Sequence, residues 1–179
     1  MKLNLFITLL TTTALVSAID LNITVPKVQA ETATKFICAT SYNPETHKRH
    51  PTTFAWTPRG KIAVILWLKY FPQYSSQQRC NIVSSRFHRA YHNDTLGLIT
   101  NGTMNNQPVI CTTREAGGVC DTLLMTLRPN ENSLKILNDL RKIFNGGPQV
   151  GPVKHNAGTP QVYYQIDIEE FLRTAPVEK

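Results

Sequence analysis

Four cysteines, Cys38, Cys80, Cys111 and Cys120, constrain this chain more than any other feature. They follow one another at intervals of 42, 31 and 9 residues, and no Cys-x-x-Cys pair offers a metal ion a local clamp. Thiolates so far apart make a poor zinc site, so no metal is expected on them. An even number of cysteines in a chain that leaves the reducing cytosol predicts two disulfides. Cys111 and Cys120 bracket a segment holding Gly117-Gly118 between two β-prone runs, so they can face each other across neighbouring strands. Cys38 then pairs with Cys80 by elimination.

The N-terminus indicates the compartment. Met1 and Lys2 precede an apolar stretch, Leu3 to Val16, interrupted by Asn4, Thr8 and Thr11 to Thr13, which reads as a secretory h-region. Asp20 and Asn22 arrive too soon for the ~20 apolar residues of a spanning helix. Of two small-x-small sites, Val16-Ser17-Ala18 and Val28-Gln29-Ala30, the second is the expected cleavage point, because ordinary mature sequence begins at Glu31. Retention as an uncleaved anchor is the alternative. The expected organisation is a signal peptide over 1–30, one domain over 31–172 and a tail over 173–179. With 41% hydrophobic residues the chain has material for one sizeable core, and 9 Gly with 11 Pro do not amount to low complexity. Past residue 30 there are 17 basic and 11 acidic side chains, a net +6, which favours polyanionic surfaces as partners. Export removes nucleic acid from the expected partners.

The order of elements predicts an α+β fold: a single domain, mainly antiparallel sheet packed with two helices and stapled by two disulfides. Phe36 to Ala39 opens a strand, Ser41 to Pro51 reads as a polar loop, and Thr52 to Trp56 alternates as a half-buried strand does. After a turn at Pro58-Arg59-Gly60, the apolar run to Leu68 reads as a central strand covered on both faces. From Gln77 the period becomes helical, with Cys80, Val83, Phe87, Ala90 and Tyr91 on one stripe and Ser75 or Ser76 as cap. Leu98 to Met104 and Val109 to Thr113 flank Asn105-Asn106 as a hairpin, and Val119 to Leu127 adds a strand. A second helix follows Pro129-Asn130, with Ile136, Leu137, Leu140, Ile143 and Phe144 as its apolar face and Gly146-Gly147-Pro148 as its end. The stretch to Pro160 reads as loop, Val162 to Ile166 as a last strand and Glu169 to Leu172 as a short turn.

Few groups arrange themselves for chemistry. Arg79, Arg86 and Arg89 recur beside the apolar stripe of the first helix, so one flank can present three guanidinium groups to an anion. Salt links or packing over Ile82 are the plain alternative. His88 and His92 lie one helical turn apart with Asp94 beyond, the best local metal spacing, although two solvated histidines explain the pattern without a metal. His47-Lys48-Arg49-His50 reads as a basic loop. Trp56, Trp67, Tyr70 and Phe71 can form a stacking platform, but core packing accounts better for both tryptophans. No nucleophile elbow, free thiol with histidine, Ser-x-x-Lys or glycine-rich phosphate loop occurs. Asp167, Glu169 and Glu170 read as solvated carboxylates. Asn93-Asp94-Thr95 and Asn101-Gly102-Thr103 match glycosylation sequons.

The ordered blocks Pro51-Thr52-Thr53 with Ala55-Trp56, Arg59-Gly60, Tyr70-Phe71, Arg79-Cys80 with Val83-Ser84 and Arg86-Phe87, Gln107 to Cys111, and Cys120 with Leu123-Leu124 and Thr126 to Pro129 resemble the cyanobacterial circadian-oscillating protein domain over residues 35–172. Where that family tends to show Asn-Gly-Gln-Pro, this chain has Asn105-Asn106-Gln107-Pro108, which keeps a turn-compatible residue. The resemblance implies an exported cyanobacterial protein, in periplasm, thylakoid lumen or at the cell surface, and brings no catalytic residue with it. The functional expectation is a non-enzymatic, monomeric module without cofactor. It would bind a protein, an envelope polymer or, peripherally, a membrane surface. The alternative is a small extracytoplasmic hydrolase or metal-dependent enzyme using His88, His92 and Asp94.

Overall fold

The computed structural model describes residues 33–68, 72–145 and 161–178. The readings of the leader, of Tyr70 and Phe71, and of the stretch from Gly146 to Pro160 lie outside the described residues. In chain order the elements are β1 (Lys35–Asn43), β2 (Lys48–Thr57), β3 (Gly60–Leu66), α1 (Ser76–His92), β4 (Leu98–Met104), β5 (Gln107–Thr112), β6 (Leu123–Thr126), α2 (Ser133–Asn145), β7 (Tyr163–Gln165) and α3 (Ile168–Thr174). The strands form two antiparallel sheets, ordered β1-β2-β3 and β6-β5-β4-β7. The fold is α+β with the two expected disulfides, Cys38–Cys80 and Cys111–Cys120, each joining Cα atoms 5.5 Å apart. Cys120 sits in the connection between β5 and β6 and not on a strand, and the segment expected as a turn near Glu169 is the helix α3. Among the described residues no helix is long and apolar enough to cross a membrane.

Local chemistry accounts for the boundaries. Ser75 caps α1 through a capping box: its hydroxyl accepts the Gln78 backbone N–H at 3.1 Å while the Gln78 side-chain Oε1 accepts the Ser75 backbone N–H at 2.9 Å. Asn105 and Asn106 both take positive φ, 49° and 59°, and so close the two-residue turn between β4 and β5. The expected loop Ser41–Pro51 is mostly strand. The Asn43 side chain accepts the N–H groups of Glu45 and Thr46, folding the chain back after Asn43, and β2 resumes at Lys48. Hairpin ends that project past the core carry polar residues at no cost, which is why polarity hid these strands.

The expectation for the apolar run from Ile62 is reversed. The strand β3 is an edge, with Ala63 and Leu66 exposed, and β2 is the central strand, with Thr52, Thr53, Phe54 and Ala55 all buried. A register irregularity opposite Thr53 and Phe54 leaves Val64 as the extra residue on β3, a bulge of the sort that discourages edge-to-edge pairing. Residue preference for β structure is shared by edge and centre, so it does not fix strand order.

The helix α1 lies on β1 and β2, and α2 on β4 and β5. A chain of rings crosses the core: Phe36 to Phe87 at 5.7 Å, Phe87 to Phe144 at 6.2 Å, and Phe144 to Phe171 at 4.9 Å between centroids. These link β1, α1, α2 and α3 into one apolar body. Beside it, the Trp67 indole N–H and the Ser84 hydroxyl both donate to the buried Thr53 hydroxyl, at 3.1 and 3.0 Å, so that burial leaves these groups paired. On α2, Ile143 is exposed and Arg141 is buried, its guanidinium 4.9 Å over the Tyr164 ring and donating to Asn138. The apolar face expected for α2 is therefore rotated toward β7.

Candidate functional site

The three arginines expected to offer an anion site, Arg79, Arg86 and Arg89, all lie on α1. The Arg79 guanidinium lies 4.7 Å over the Trp67 ring, and burial holds it below its ordinary basicity; the Glu131 carboxylate opposes that shift and Arg128 adds to it. Arg86 is lowered first by burial and next by its neighbour Arg89, which is exposed. Glu131 and Arg128 are thus charge neighbours of Arg79, and half-buried Arg86 has the exposed Arg89 as a like-charged neighbour.

His88 and His92 do come together, their rings edge-to-face at 4.3 Å between centroids. Asp94 lies beyond the helix end with φ of 53°, and among the described residues no three metal-ligating side chains group together. Burial, then His92, then Lys35 hold the His88 imidazole below its ordinary value, and its buried Nδ1 has no hydrogen-bond partner among the described residues. The unfolded chain therefore takes up a proton on His88 first as pH falls below ~6.5, while the folded protein resists until lower pH. Stability from this residue is complete above that value and is lost as pH falls through the folded pKa. Thermal unfolding is expected to show a melting temperature that declines across this window, with a shallower decline in His88→Gln. An identical pH profile for the variant would remove His88 as the cause.

Of the two tryptophans, Trp67 is core, but Trp56 is 54% exposed, which corrects the expectation of core packing. It stands on the face of the β1-β2-β3 sheet opposite α1, directly across from Lys35 on β1 and Lys61 on β3. Directly opposed residues of antiparallel strands share a face, with Cβ atoms ~5 Å apart, so a lysine flanks the indole on each side. The Lys61 ammonium reaches 5.3 Å from the Phe54 ring on the same face. Lys48 and His50 continue that face, His50 bonding the Thr46 hydroxyl at 2.8 Å, so three of the four residues expected as a basic loop belong to β2. Glu178 bridges the Lys61 backbone, and its carboxylate accepts the Ser41 hydroxyl. The residues that sequence reading missed here are Lys35 and Lys61: alternation places them on the Trp56 face, but only strand order brings them beside the ring.

The remaining candidates are structural. Asp167 caps α3 by accepting the Glu170 N–H at 2.9 Å, and Glu170 pairs with Arg173. Asn101 is buried, with its side-chain oxygen accepting the Val162 N–H at 2.8 Å, so the second sequon is closed in the folded protein.

No curated protein and no solved structure matches the chain. A family model described as circadian oscillating protein COP23 matches residues 35–173. Its two disulfides suit an oxidising, extracytoplasmic environment. The match runs from β1 into α3 and takes in all four bridged cysteines, and the chain belongs to the circadian oscillating protein COP23 family.

Proposed function

We propose that this protein is an exported, non-enzymatic module that holds an anionic polysaccharide of a cyanobacterial cell envelope against the Lys35, Trp56 and Lys61 row. The observation that carries this reading is the exposed Trp56 indole between two lysines in cross-strand register. An indole offers an apolar plate on which a sugar ring can stack, and flanking ammonium groups pair with carboxylate or sulfate substituents. The net +6 of residues 31–179 supplies long-range attraction to a polyanion, and salt weakens it.

The test is binding of the disulfide-intact protein to polygalacturonate, to a neutral glucan and to vesicles containing anionic lipid, at low and high salt. Salt-sensitive binding to polygalacturonate is expected, about tenfold weaker in Trp56→Ala and with a flatter salt dependence in a Lys35→Gln, Lys61→Gln double variant. Vesicle binding without polysaccharide binding would replace the polymer by a membrane surface. Capture of a salt-resistant protein from envelope extract, unaffected by Trp56→Ala, would move the function to another face.

A further inference from the structure

The last turns of α1 are held on β1 by ring contacts, Phe36 lying 5.7 Å from Phe87 and 5.8 Å from Tyr91 between centroids. His88 and His92 follow those two rings in the chain and so fall one helical turn apart on the neighbouring flank, where their imidazoles meet at 4.3 Å between centroids. The helix thus sets the spacing of the pair, and the core contacts set the helix.

The ring nitrogens of this pair are uncommitted. His47 shares a hydrogen bond with the Tyr42 hydroxyl and His50 with the Thr46 hydroxyl, but neither His88 nor His92 makes a hydrogen bond or an ion pair among the described residues. The His88 Nδ1 is buried, so Nε2 is the nitrogen that this ring offers outward. All four cysteines are bridged, and no thiolate competes for a metal. The pair also sits at the C-terminal end of α1, the negative end of the helix dipole, which favours a cation. Lys35 acts against this as a like-charged neighbour of His88 and keeps the affinity to that of a two-ligand site.

The spacing selects among metals. With metal–nitrogen bonds of about 2.0 Å and each ring centre ~1.1 Å behind its nitrogen, two imidazoles cis on a tetragonal ion stand about 4.4 Å apart between centres, whereas a tetrahedral ion spreads them to about 5 Å. The observed 4.3 Å matches the first. The rings stand edge-to-face at 79°, and the exposed His92 can turn its nitrogen toward an ion by rotating about its Cβ–Cγ bond. Tetragonal nitrogen and oxygen coordination is the preference of Cu(II), which also heads the affinity order of divalent ions on such ligands. We propose that His88 and His92 together bind one Cu(II) ion through their imidazoles, with water in the remaining positions, as an exchangeable site at the end of α1.

The experiment is titration of the disulfide-intact protein with Cu(II) and with Zn(II), followed by calorimetry, by electron paramagnetic resonance and by the amide resonances. The tightest Cu(II) site is expected to take one ion per chain with micromolar affinity, to show coupling to two imidazole nitrogens, and to broaden the amides around His88 and His92 before any others. Zn(II) is expected to bind at least about tenfold more weakly. His88→Gln and His92→Gln are each expected to weaken Cu(II) binding about a hundredfold, while a His47→Gln, His50→Gln double variant keeps the wild-type affinity. The broadening is read on the wild-type protein, so the assignment does not depend on how the variants fold. Broadening centred elsewhere, or unaltered affinity in either single variant, would overturn the site. Zn(II) binding as tight as Cu(II) binding would overturn the tetragonal assignment.

Discussion

Phe87→Ala is expected to lower the unfolding free energy by about 3–5 kcal/mol, the range for removing a buried aromatic ring. Phe87 has no solvent exposure and contacts Phe36 on one side and Phe144 on the other. Its loss removes the transfer free energy of the ring and also leaves a void between β1, α1 and α2. The void cannot collapse easily, because α1 is tied to β1 by Cys38–Cys80 a short distance along the helix. Against a total of ~5–15 kcal/mol for a domain, this is a large fraction of the stability. Urea unfolding of the oxidised protein measures it, with Met104→Ala on the exposed end of β4 as a surface control expected within ~0.5 kcal/mol of wild type. A Phe87→Ala loss no larger than that of the control would show that the ring chain does not join the layers.

The two bridges are expected to differ in their contributions. Cys38–Cys80 spans 42 residues of separation and Cys111–Cys120 spans 9. Loop-closure entropy in the unfolded chain then assigns about 4 kcal/mol to the first and about 2.7 kcal/mol to the second. The first also fixes α1 on its sheet, with Cys80 fully buried in the core. Paired Cys→Ala variants, one bridge removed at a time, should unfold at lower guanidinium concentrations in that order. The reverse order would mean that native-state effects in the β5 to β6 connection outweigh chain entropy. Both variants should remain foldable at low temperature, which allows equilibrium measurement.

The local rules that made α1 visible are strong ones. Its stripe of Cys80, Val83, Phe87 and Ala90 is buried as periodicity requires, and Ser75 caps it with Gln78 at the correct spacing. The Asn105-Asn106 turn and the pairing of Cys111 with Cys120 were equally legible, because each depends on residues close in the chain. Strand order was not. Ile62 to Leu66 has the composition of a central strand, yet it is β2 that is covered on both faces, since coverage depends on which strands pair on either side. The same ignorance made Trp56 read as core and concealed Lys35 and Lys61 beside it. In α2, Arg141 took a buried place that Ile143 was expected to fill, because the Tyr164 ring and Asn138 receive its guanidinium.

Sequence alone determined the α+β class, the disulfide pairing, the principal helices and the family, because these rest on local periodicity, capping chemistry, cysteine spacing and ordered motifs. Tertiary structure decided which strand is an edge and which aromatic faces solvent. It also decided that Arg79 stacks on Trp67. The physical reason is that burial and charge environment are set by contacts between residues far apart in the chain, here β3 with α1, β6 and α2, which no local window of sequence contains.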